Sequence, residues 1–444
     1  MPDTPQDVHG GATTARSVNR LGAAWAGRLD TPPGGQDGTV FAPVGVWPLL
    51  GLLAVGAEPQ VAAELEEAVG LPAGRAASAA RVLIEALEKR DGMSAALGLW
   101  TAGSVGLDAD WLSALPAGTH GELTGDSAAD KARLDGWARD RTDGQIPAMP
   151  VRLDPTTLLV LASAFTARDD WAQRFTERPL RPGSGPWSGR ERPGLHRDSA
   201  LDDDSVGVLV PDSTDLDTGT DAGAGTGTSA GAGAPVTEVR IAGERTLDVH
   251  LLLGAEDAAP AQVLRTGIAA LETAGGRAAG VRRIGAEDLT EETAGPGMTV
   301  GTTTTTDRLA RPRLDLSTVP FEVSATHDLL RLAEVFGLAT AADSGRNRFP
   351  GVSTDTPLAV QSAGQSATAE FSATGFRTAA VTAIGMMRAA AVLQTPPEQR
   401  VRQVAVRFER PFGFLALLRP ERGEGAEEGP PLLLSAGWVG SPSD

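Results

Sequence analysis

Five histidines, His9, His120, His196, His250 and His327, are the side chains best suited to proton transfer, and none sits in a pattern that completes a catalytic group. A hydrolytic triad needs a base within hydrogen-bond reach of its nucleophile, and the strand-turn-helix signature Gly-x-Ser-x-Gly is absent. Gly364-Gln365-Ser366-Ala367 supplies only half of it. There is no His-Glu-x-x-His, no calcium-loop spacing and no Gly-x-x-x-x-Gly-Lys-Ser/Thr, so neither a metal site nor a cofactor is expected. Gly225-Thr226-Gly227 imitates part of a phosphate loop but lies in low-complexity sequence with no strand before it. Each lone histidine reads as a surface or cap residue, with His250 facing outward from a strand over Leu247 to Leu253. The chain has no cysteine, which removes thiolate chemistry and disulfides and leaves the redox compartment open.

Glu370 to Leu393 is a long, low-charge run whose alternate residues fall into two sets. Phe376, Thr378, Ala380, Thr382, Ile384 and Met386 carry no charge and suit a core, while Arg377, Ala379, Val381, Ala383, Gly385 and Met387 occupy the other face. A one-residue slip would bury the Arg377 guanidinium at several kcal/mol, so the register of such a strand is specified. The run reads as a strand held in reserve, with no proline or charge from Thr378 to Ala383.

Helical spacing predicts elements over Ser17 to Leu29, Pro59 to Val69, Ala76 to Lys89, Asp108 to Leu115 and Ala128 to Arg141. Val44 to Val55 is almost wholly apolar yet too short for a bilayer, and reads as a helix beneath a sheet. Strands are predicted at Ala95 to Thr101, Thr156 to Ala167, Thr246 to Leu253, Arg313 to Leu316, Ala359 to Val360, Thr368 to Phe371, Val401 to Phe408 and Phe414 to Leu418. Helices early and strands late, with sheets fed by distant segments, make an α+β class. Residues 1–16 are expected to be a flexible N-terminus, and the Gly/Ala/Thr-rich stretch 213–234 to be disordered, lacking apolar surface to offset its ordering entropy.

The composition is that of a globular body: 444 residues, 41% hydrophobic and 22% charged, loop-rich with 54 Gly and 31 Pro. A formal charge of -18 disfavours nucleic acid and anionic membranes and favours basic partners. The start, Met1-Pro2-Asp3-Thr4-Pro5-Gln6-Asp7, lacks the basic and apolar regions of a secretory signal, so a cytoplasmic setting is expected.

The ordered motifs of the chain resemble the serpin family. At the C-terminal end these are Phe408-Glu409-Arg410-Pro411-Phe412-Gly413-Phe414 and Gly437-Trp438-Val439-Gly440-Ser441-Pro442. Upstream, Phe41-Ala42-Pro43, Gly56-Ala57, Trp137 with Thr142 to Ile146, Leu158 to Phe165, Trp171, Phe175, Phe336-Gly337-Leu338 and Phe349-Pro350-Gly351-Val352-Ser353 keep the family's order. The resemblance implies one domain over residues 1–444, a large central mixed sheet with further sheets, and an exposed reactive loop over 375–393. It also implies the activity: a serine protease attacks one loop bond, and the cleaved segment inserts as a new sheet strand that traps the enzyme, so the chain is an inhibitor and performs no chemistry itself.

By the same resemblance Gly375, Phe376, Arg377, Thr378, Ala379, Ala380, Val381 and Thr382 form the hinge. The cleaved bond follows Arg388 or Ala389, with Met387 and Ala390 as neighbouring candidates. Arg388 implies a trypsin-like protease; Met387 or Ala389 implies an elastase-like or subtilisin-like one. Ala42, Gly45, Ser163 and Gln365 stand where the family has a polar cluster beneath the parting strands, with a Ser163 to Gln365 hydrogen bond expected, and Trp171 stands near the loop's entry point. A monomer is expected, and the resemblance allows an extracellular setting. Phe376 and Arg377 depart from the family's small and acidic hinge residues. Phe376 therefore decides between insertion and the alternative, a non-inhibitory binding or structural protein cleaved without trapping.

Overall fold

The computed structural model describes residues 10–29, 38–142, 144, 146–212, 233–272, 277, 278, 280–305, 311–377, 399–420 and 429–442. Within them the helices are α1 (Gly10–Ala26), α2 (Pro43–Ala54), α3 (Pro59–Val69), α4 (Ala73–Glu88), α5 (Ala109–Ala114), α6 (Ser127–Arg141) and α7 (Pro260–Ala270). The strands are β1 (Thr39–Phe41), β2 (Met93–Ala102), β3 (His120–Leu123), β4 (Leu159–Asp170), β5 (Thr176–Glu177), β6 (Leu195–Ala200), β7 (Val206–Pro211), β8 (Val236–Ala242), β9 (Leu247–Leu253) and β10 (Arg277–Ala278). They continue with β11 (Val281–Gly285), β12 (Met298–Thr305), β13 (Arg313–Thr318), β14 (Phe321–Asp328), β15 (Ser362–Phe371), β16 (Gly375–Arg377), β17 (Gln399–Arg407), β18 (Phe412–Leu418) and β19 (Leu432–Val439).

Three sheets result, in the orders β14-β15-β16-β4-β2-β3, β1-β19-β18-β9-β8-β7-β11-β10 and β12-β17-β13-β6-β5. The first carries the candidate site. Its inner face packs on α2, every residue of which is buried, as a run without a charge must be. Its outer face is covered in part by α6, through a second apolar cluster of Trp100, Leu134, Ala138, Ile146, Val160 and Ala162. Four strands have both neighbours in this sheet, and β4 is accordingly apolar on both faces from Leu159 to Phe165. No helix among the described residues is long and apolar enough to cross a membrane.

The α+β class holds, with six of the helices before residue 142. Four sequence expectations are corrected. The first helix begins at Gly10, so residues 10–16 are not a flexible tail: Thr14 and Ala15 are buried, and Asn19 ties the helix down by donating to the Pro431 carbonyl and accepting from Leu433 N. Ala359–Val360 and Thr368–Phe371 are not two strands; β15 is one strand over Ser362–Phe371, held by ladders on both sides. The strand at 156–167 runs on to Asp170, because Asp170 pairs with Gly375. His250 does not face water: its side chain is 14% exposed and its Nδ1 lies 2.7 Å from Oε1 of the buried Glu238, whose Oε2 accepts from Arg283. His120, His196 and His327 are likewise half-buried and hydrogen-bonded, so none is a bare surface histidine. His9 and most of the expected disordered insertion, 213–232, lie outside the described residues.

Candidate functional site

Between β15 and β4 the sheet does two different things along its length. At one end the strands pair directly and in parallel, Ser362 to Gln365 against Val160 to Ser163. At the other end they part, and β16 stands between them, antiparallel to both: Phe376 lies opposite Phe371 on one side and Asp169 on the other, and Arg377 opposite Glu370 and Arg168. The alternation read from sequence is present in these residues. Phe376 is fully buried, 6.0 Å from Phe414 in an aromatic cluster that includes Phe371 and Phe321. Arg377 is on the other face, half-buried. The core has room for the Phe376 ring between β15 and β4.

The turn joining β15 to β16 is clamped. Trp171 Nε1 donates to the Ser372 carbonyl at 2.9 Å, Trp171 N to Thr374 O and Phe175 N to Ala373 O, while Ser372 donates to Gly375 O. Trp171 is thus both a core aromatic, 4.9 Å from Phe371, and a hydrogen-bonding contact to the β15–β16 turn. Gly375 is required by close approach: a Cβ there would sit 2.5 Å from the Asp169 carbonyl oxygen, which is backbone and cannot yield.

Where the strands meet directly, Ala42, Gly45, Ser163 and Gln365 come together. Gln365 accepts from Ala42 N and donates to Ala42 O, both at 2.8 Å, and donates to Ser163 Oγ at 3.3 Å. The expected Ser163 bond is present. The two-point clasp on the backbone entering α2 was not foreseen, because it needs an amide to reach 323 residues back along the chain. Gly45 leaves the space for it, as a Cβ would lie 3.2 Å from Ser163 Oγ and 3.3 Å from Gln365 Nε2. His327, opposite Gln365 in the ladder, donates from Nε2 to Val40 O, and burial pushes its pKa down. Gln365→Ala leaves Ala42 N–H and the Ser163 hydroxyl buried without this partner, so a loss of about 1–3 kcal/mol is expected in urea unfolding; a change under a few tenths would show the clasp to be idle.

The chain's residues 18–184 match the family model Serpin (serine protease inhibitor). Over that stretch the chain is similar to serpins. No match to a curated protein is found. Among solved structures, mouse protein-Z dependent protease inhibitor is 12% identical with a TM-score of 0.62, over 98% of this chain and 97% of that one. Human thyroxine-binding globulin complexed with thyroxine is 15% identical with a TM-score of 0.62, over 98% and 99%. A cleaved Serpin 42Da is 13% identical with a TM-score of 0.63, over 98% and 100%. These similarities cover the serpin fold over nearly the whole chain.

Of the site residues expected from sequence, the structure brings together Gly375, Phe376 and Arg377 with Trp171, and separately Ala42, Gly45, Ser163 and Gln365. Thr378, Ala379, Ala380, Val381 and Thr382 of the hinge, and Met387, Arg388, Ala389 and Ala390 at the bond, lie outside the described residues. Sequence reasoning missed Asp169. Its carboxylate is buried beside Phe376 and accepts from the backbone N–H groups of Arg245, Thr246 and Leu247, each at 3.1 Å. The one available signal was an acidic pair, Asp169-Asp170, ending an apolar strand, which by itself reads as a strand leaving the core.

Proposed function

We propose that this chain is a suicide inhibitor of a serine protease, whose loop is cut after Arg388 or Ala389 and then inserts between β15 and β4. The observation that carries the reading is β16 itself: Phe376 and Arg377 already pair with both strands, and Gly375 with β4, so the ladder has only to be continued. Carried on in that register, Thr378, Ala380, Thr382, Ile384 and Met386 face the core, and Thr382 falls between Gln365 and Ser163, where its hydroxyl replaces their mutual hydrogen bond. This is strand addition within one molecule, of which serpin loop insertion is a known instance. The protease supplies the nucleophile, and the inhibitor supplies a bait and the stability gained on insertion. An arginine before the bond suits a pocket with a carboxylate, hence a trypsin-like partner; cleavage beside Met387 or Ala389 suits an elastase-like or subtilisin-like one. One copy of the chain and one protease complete the reaction, with no metal or cofactor.

The test is incubation with trypsin, elastase and subtilisin. A complex that survives denaturing electrophoresis is expected with at least one, with a released fragment whose mass places the bond between 387 and 390. Cleaved chain should melt higher than intact chain by on the order of 10 °C, since a gain of several kcal/mol moves a domain by a few degrees per kcal/mol. Cleavage with no complex and no rise in melting temperature would instead support the binding-protein reading.

A further inference from the structure

We propose that Arg168 on β4 is the residue that holds the hinge strand back, by competing with Arg377 for Glu370. Four strands place a charge in one row on the outer face: Glu322 on β14, Glu370 on β15, Arg377 on β16 and Arg168 on β4. With β16 in the sheet, Glu370 lies opposite Arg377, and Arg377 lies opposite the like-charged Arg168. With β16 out, the row closes differently. Glu370 and Arg168 each lie five residues beyond Gln365 and Ser163, which pair directly in the parallel ladder. Extending that ladder over the vacated position sets Glu370 opposite Arg168.

Arg168 therefore acts against insertion twice, repelling Arg377 when the hinge is in and attracting Glu370 when it is out. Arg377 on its own changes little, because its attraction to Glu370 and its repulsion by Arg168 offset one another. Glu370 is sited for such an exchange: its Oε2 is buried with no hydrogen-bond partner among the described residues, and burial of the carboxyl, reinforced by Glu322 and opposed by Arg377, raises its pKa. This inference rests on reading 375–382 as the hinge.

The experiment measures amide exchange of residues 371–377 by mass spectrometry on uncleaved chain without any protease, so its result is independent of whether the protein inhibits one. Opposite-charge and like-charge cross-strand pairs each change a strand's equilibrium modestly, and Arg168→Gln removes one of each, so exchange should slow about two- to twentyfold. Arg168→Glu should slow it further, Arg168→Lys should leave it near the parent value, and Arg377→Gln should move it little. In a Glu370→Gln background the effect of Arg168→Gln should shrink to about half. Exchange unchanged or faster in Arg168→Gln, an Arg168→Lys variant that behaves like Arg168→Gln, or an effect of the same size in both backgrounds would each overturn the proposal.

Discussion

Asp169→Ala is expected to cost about 3–5 kcal/mol and to loosen β16 together with the fold. Three backbone donors, the buried Leu247 and the partly buried Arg245 and Thr246, point at one carboxylate that is 2% exposed, with Arg245 Nε adding a fourth contact at 3.2 Å. A buried donor left without an acceptor costs about 1–3 kcal/mol, and water reaches only part of this site. The carboxylate ties the turn between β8 and β9 to the end of β4, the same end at which β4 receives Gly375 and Phe376. Losing it therefore weakens two sheets at their junction. Asp169→Asn keeps one acceptor oxygen and should cost roughly half as much. Urea denaturation of both variants, with β16 amide exchange alongside, is the measurement. A stable Asp169→Ala protein with a parent-like β16 would show that the carboxylate only fills space.

Acid is expected to remove about 3 kcal/mol through a single residue, Glu238. Burial alone would raise its pKa, but the charge and hydrogen bond of His250, and then those of Arg283, overcome that and bring it down to about 2 from an ordinary 4.5. A carboxyl whose pKa is lower folded than unfolded stabilises above the unfolded value, and the contribution is lost as pH falls through the folded one. The window is thus about pH 4.5 down to 2. Glu238→Gln should be less stable than the parent by about 3 kcal/mol at pH 6, with the two curves converging as pH approaches 2. A gap that stays constant with pH would mean that Glu238 is held by shape rather than by charge.

How much of this was legible in the sequence differs from element to element. α2 and α3 were readable because an uncharged run and a helical repeat each carry their own signal over about three turns. The faces of Phe376 and Arg377 were readable because side chains alternate on any strand, whatever it pairs with. His250 was misread for the opposite reason. Alternation within β9 says which face a residue takes, but not that the face is covered by Glu238 and Arg283 from β8 and β11. α7 went unpredicted, and β15 was split in two, because its small residues Ser362, Ala363 and Gly364 carry no strand signal until β14 and β4 flank them.

By itself the sequence determined the fold class, an ordered set of serpin-like motifs and a strand-like segment with one charge-free face. Those are local properties or ordered strings of local properties. Only the tertiary structure decided that β16 lies between β15 and β4, that Phe376 finds room there, and that Asp169, Gln365 and the row from Glu322 to Arg168 meet. Each of those facts depends on which distant strands become neighbours, and that choice is made by the packing of the whole chain rather than by any window of it.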